Sequence, residues 1–82
     1  MFKKTKDIVV CVNKKYNLDV QHIVDHHVKV VRGTINIYLR DDDVYVAFKT
    51  KMNAADVAKV IKEKLYKSDT TIVESIVFVK FN

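Results

Sequence analysis

The chain has 82 residues and a mass of 9.5 kDa, enough for one domain spanning 1–82 and no second core. With 49% hydrophobic residues, no proline and one glycine, Gly33, the composition excludes a disordered, collagen-like or linker chain, and a lone Cys11 excludes an internal disulfide framework. The net charge of +5 is unevenly spread: residues 1–16 carry five lysines and one Asp, residues 17–48 three basic residues and five Asp, and residues 49–82 seven lysines and four acids.

The basic start, Met1 to Lys6, is followed by an apolar run of only Ile8 to Val12. That run is too short for a secretory core or a membrane span. A cytoplasmic chain without membrane partners is the expectation, in keeping with one free thiol.

In residues 8–12, Ile-Val-Val-Cys-Val, four of five side chains are β-branched, which predicts a buried first strand. After the polar break Asn13 to Asn17, Asp19 reads as an N-cap. From it, Val20, Ile23, Val24, His27, Val28 and Val31 fall within an arc of about 140°, which predicts an amphipathic helix over 19–32 with Gly33 at its C′ position. Ile35, Ile37 and Leu39 then alternate with polar residues, Asp41-Asp42-Asp43 supplies a turn, and Val44, Val46 and Phe48 alternate again. This is a hairpin with one apolar face. Asn53 with Asp56 forms a capping box for a helix over 54–67 that buries Ala54, Val57, Ala58, Ile61 and Leu65. A final strand covers 71–81. The order β-α-β-β-α-β predicts an α+β fold of the ferredoxin-like kind, two helices on one face of a sheet. The rival order, α-β-β-α-β, makes 5–16 a helix and 27–32 a strand, but the run 8–12 has no polar side.

Nothing in the pattern supplies catalytic chemistry. A single glycine builds no phosphate-cradling loop and no nucleophile elbow. Cys11 sits in a valine run, where a thiol is inert. His22 and His26, four residues apart, share a helical face, but zinc needs further ligands and no second Cys or His cluster exists. His27 reads as a core histidine. Consecutive Asp41, Asp42 and Asp43 diverge in a turn and lack the alternate spacing of a calcium loop. No catalytic residue, metal or cofactor is expected. A metal-dependent enzyme ranks behind two binding readings.

The sheet face away from the helices carries Tyr38, Tyr45 and Ala47, joined by Val9 and Cys11 if Ile8, Val10 and Val12 point inward, and by Ile76 and Phe78 or, in the other phase of the last strand, by Val77, Val79 and Phe81. Such an apolar and aromatic surface marks a contact with the protein itself or with another protein. Base-stacking sheets place aromatics on the first and third strands, and here the first strand has none. The leading expectation is therefore a small intracellular, non-enzymatic protein-binding module, a homodimer or a regulator or inhibitor of a larger partner. The alternative is nucleic-acid binding. With the first and third strands expected as parallel neighbours, Lys14, Lys15, Lys49 and Lys51 gather at one end with both helix N-termini, a setting suited to phosphates.

Overall fold

A computed structural model describes residues 4–81; Met1 to Lys3 of the basic start, and Asn82, lie outside the described residues. Strand β1 spans Lys6–Asn13, helix α1 Asn17–His27, β2 Asn36–Arg40, β3 Asp43–Thr50, α2 Ala54–Lys64, β4 Ser68–Val73 and β5 Ile76–Phe81. The five strands form one mixed sheet in the order β2-β3-β1-β5-β4, with the two helices on one side of it. The α+β class stands, and so does the hairpin. The ferredoxin-like order does not, and neither does the rival, since residues 6–13 are a strand.

Two expectations fail, and only the first alters the strand order. First, the expected last strand is two strands, joined by a two-residue loop at Glu74-Ser75 in which Glu74 adopts φ +56°. Its inner member, β5, lies parallel beside β1. Second, β1 and β3 are neighbours but antiparallel, Lys6 opposite Thr50 and Asn13 opposite Asp43. Counting reversals gives the reason. Helix α1 brings the chain back so that β2 runs with β1, and the tight turn at Asp41-Asp42 reverses β3. A strand after an odd number of further reversals cannot run parallel to the first.

The helices differ from expectation at their ends. Asn13, rather than Asp19, begins the first. Its Oδ1 accepts the Lys15 N–H at 3.0 Å and starts a 3₁₀ turn, Lys14–Tyr16, that runs directly into α1. Asp19 lies in the first helical turn, where a carboxylate suits the helix dipole. The helix stops at His27, because the next residues are drawn out along the end of β3: Val30 bridges Thr50, and the Thr50 hydroxyl donates to the Lys29 carbonyl at 2.6 Å. Gly33 therefore serves the turn before β2, at φ +80°, rather than a helix end. Helix α2 keeps its predicted cap, with the Asp56 N–H donating to Asn53 Oδ1 at 2.8 Å. It ends at Lys64, short of residue 67, and Lys67 at φ +60° turns the chain into β4.

The core lies between helices and sheet. Ile8, Val10 and Val12 of β1, Val44, Val46 and Phe48 of β3 and Val77 and Val79 of β5 meet Val20, Ile23 and Val24 of α1 and Val57, Ala58 and Ile61 of α2. Val28 and Leu65, just past each helix, complete it. His27 is outside it and exposed, contrary to the core reading, because the helix ends where the stripe required it to continue. Partial desolvation, then the charges of Lys64, His22 and His26, hold its ring below the usual histidine pKa. Strand β2 is the other exception. Ile37 and Leu39 are register partners of Val46 and Val44, so they face the helix side as predicted, yet they remain 45% and 75% exposed.

Candidate functional site: the open sheet face

Strand alternation alone decides what the uncovered face carries. With the even residues of β1 and β3 turned into the core, the odd ones point away. Register then joins them into rows across the whole sheet. Tyr38, Tyr45, Cys11, Phe78 and Thr71 form one row, and Asn36, Ala47, Val9, Ile76 and Val73 form the next. The six residues expected on this face, Val9, Tyr38, Tyr45, Ala47, Ile76 and Phe78, are thus adjacent on one surface. Of these six, Tyr38 and Phe78 are the most exposed, at 58% and 36%. Val9, Tyr38, Tyr45 and Ile76 line a shallow depression with Leu39 and Arg40 at its edge.

The rim is charge-balanced. Asp7 opposes Lys49, Asp43 opposes Arg40, and Asp69 opposes Lys80 on this same face. Three acids and three bases in directly opposed pairs leave the face neutral on a chain of net charge +5. Sequence reasoning missed this balance because it depends on register, which the strand patterns do not specify.

Cys11 belongs to this face and not to the helix-side core, though it is only 6% exposed. Tyr45 of β3 is its cross-strand neighbour. Burial pushes the Cys11 thiol above its ordinary value, the Tyr45 side chain offsets this in part, and the Asp43 carboxylate adds to the rise. Cys11, in turn, raises the pKa of Tyr45. A thiol held protonated among apolar neighbours is a packing group and a poor nucleophile.

The four lysines of the alternative site do not converge. Lys14 and Lys15 follow β1, whereas Lys49 and Lys51 close β3, which runs the other way, so the two pairs lie at opposite ends of the sheet. The helix N-termini are separated with them, because α1 follows Lys14 and Lys15 and α2 follows Lys49 and Lys51. Lys14, Lys15 and Lys49 also have neighbours at their own ends. The Lys14 backbone N–H donates to the Asp42 carbonyl at 2.7 Å, and its ammonium lies 3.6 Å from the Asp42 carboxylate. The Lys15 ammonium lies 5.6 Å from the centre of the Tyr16 ring, which stacks on Phe81. Lys49 opposes Asp7.

His22 and His26 do share a helical face, with ring centres 4.3 Å apart, and Asp25 pairs with His26 at 3.8 Å. Among the described residues no three His, Cys, Asp or Glu side chains group as metal ligands would, and no helix is long and apolar enough to cross a membrane. Compared with protein-family models, curated proteins and solved structures, the chain matches none.

Proposed function

We propose that this chain is a small cytoplasmic, non-enzymatic protein-interaction module that self-associates by packing its open sheet face against the same face of a second copy. The observation that supports this is the neutral, apolar face itself: two rows crossing all five strands, flanked by three acid–base pairs. A second copy offers the same apolar rows and the same balanced rim, so it meets no net repulsion. A polyanion would find no excess positive charge there, and the separated lysine pairs provide no second basic surface in compensation. Strands of this length, about 4.8 Å apart, present a footprint of roughly 20 by 24 Å. That is a small interface, so affinity in the micromolar range is expected.

The test is the mass in solution. Tyr45→Lys or Phe78→Lys places an unpaired charge in the contact, at a cost of about 2–5 kcal/mol where it is desolvated. Light scattering at high micromolar concentration should show the mass of either variant at least halved relative to the unaltered chain. An unchanged mass overturns the proposal, as does an unaltered chain that stays monomeric.

A further inference from the structure

The geometry points to a second self-association surface, separate from the open face: the outer edge of β2, which pairs with the β2 edge of another copy. It extends the self-association reading but rests on different residues.

The backbone sets the phase. In β3, the Lys49 N–H donates to Thr34 Oγ1 at 3.2 Å, and the Lys49 carbonyl accepts the Val31 N–H at 2.8 Å. The odd residues of β3 therefore direct their backbone groups toward the β2 side. Their register partners, Asn36, Tyr38 and Arg40, make the ladder with β3. Because bonded and non-bonded pairs alternate in an antiparallel ladder, Ile37 and Leu39 turn their N–H and C=O groups outward. The strand is at the end of the sheet, so among the described residues no other strand meets them.

The side chains at that edge are equally uncovered. Ile37 and Leu39 extend the helix-side core beyond the helices, and Leu18 of α1 stands 78% exposed on the same side of the sheet. A cleft lined by Gln21, His22, Val24 and Asp25 of α1, Val46 of β3 and Ile35 lies beside the start of β2. Natural edge strands are blunted by proline, bulges or central charge, and Asn36–Arg40 has none of these at its centre.

A second copy fits this edge better than an arbitrary extended segment. Place a twofold axis at Tyr38, the middle of the strand. Ile37 then lies opposite Leu39 of the second copy, and Leu39 opposite its Ile37. These are the residues with outward backbone groups, so each pair exchanges two hydrogen bonds. Tyr38 meets its own copy, and Arg40, the only charge in the strand, meets the neutral Asn36. A slip of one residue sets outward groups against inward ones and breaks the pairing. The axis is perpendicular to the sheet, so the two copies form one ten-stranded sheet with all helices on one side. Both open faces stay available on the other side, and the two contacts together assemble four chains.

The experiment separates the two surfaces. Leu39→Pro removes an outward N–H and none of the ladder to β3. A double variant, Ile37→Lys with Leu39→Lys, keeps every backbone group and sets like charges opposite each other across the edge, so it tests the contact if the proline variant fails to fold. Light scattering of the unaltered chain at high micromolar concentration should give four chains. The edge variants and Phe78→Lys should each give two chains, and the combination one. If the edge variants leave the mass unaltered while Phe78→Lys lowers it, the edge contact is overturned and the face contact stands. If only the edge variants lower it, the edge stands and the face contact falls. A monomeric unaltered chain overturns both.

Discussion

The two edges of the sheet start from similar local designs and end differently. Both β2 and β4 belong to hairpins with two-residue loops, and in both loops the first residue is acidic and left-handed, Asp41 at φ +54° and Glu74 at φ +56°. Yet β4 is supported by α2, with Ser68 buried and Thr70 half-buried, while every residue of β2 is exposed. The difference lies in what precedes them. Three residues, Leu65 to Lys67, join α2 to β4 and hold the strand beneath its helix, and the Ser68 hydroxyl donates to the Leu65 carbonyl at 2.8 Å to fasten the join. Eight residues, Val28 to Ile35, join α1 to β2 and let it swing past β3. Two helices about 10 Å wide cover roughly 20 Å, whereas five strands span about 24 Å. One strand is left over, and connection length decides which.

The largest expected effect sets the covered region against the uncovered one. Ile61 is fully buried in α2, so Ile61→Ala should cost about 2–5 kcal/mol. Leu39→Ala, measured by urea denaturation at a dilution where the chain is monomeric, should stay within about 0.5 kcal/mol. Comparable losses at the two sites would mean that β2 is covered in the free chain and that the comparison of the edges is wrong.

Much of this contrast was legible beforehand. Alternation put Tyr38, Tyr45 and Ala47 on one face, because period two needs only local sequence, and Val57, Ala58 and Ile61 followed from the helical stripe. The runs of β1 and β5, however, are apolar on both sides and left the facing of Val9, Ile76 and Phe78 open. The last hairpin was not legible. Its turn is Glu74-Ser75, with none of the glycine or asparagine that normally mark a left-handed loop position. The end of α1 was hidden too, since the stripe continues through Val28 and Val31, and a contact with distant Thr50 draws those residues out. The convergence of lysines failed on strand direction, which depends on counting reversals and not on any residue. The uncovered state of Ile37 and Leu39 depends on how far two helices reach, which no strand pattern records.

An intermediate effect tests the long connection that frees β2. Thr50 is fully buried. Its hydroxyl donates to the Lys29 carbonyl and accepts the Met52 N–H at 3.1 Å. Thr50→Val keeps the volume but leaves both groups without a side-chain partner, so a loss of about 1–3 kcal/mol is expected. The damage should be local to 28–35, with faster amide exchange there than in α2. A loss of only a few tenths, with exchange unchanged, would show that another contact holds the segment and that Thr50 does not set the path to β2.

The smallest expected effect compares the two loops. A left-handed conformation costs an ordinary residue roughly 1–2 kcal/mol, and aspartate tolerates it better than glutamate because its short side chain bonds locally. Glycine removes that strain but adds about 0.5–1 kcal/mol of unfolded-state entropy. At Glu74, φ +56°, relief should exceed the entropy loss, so Glu74→Gly should gain up to about 1 kcal/mol. At Asp41, φ +54°, the two terms should nearly cancel. For a chain this short, 1 kcal/mol moves the melting temperature by about 4–8 °C. Glu74→Gly should therefore raise Tm by a few degrees, and Asp41→Gly should leave it nearly unchanged. Equal gains at both loops would mean that strain, not residue type, governs them alike. A larger gain at Asp41 would place the greater loop strain beside the uncovered strand and reverse the expected order of the two hairpins.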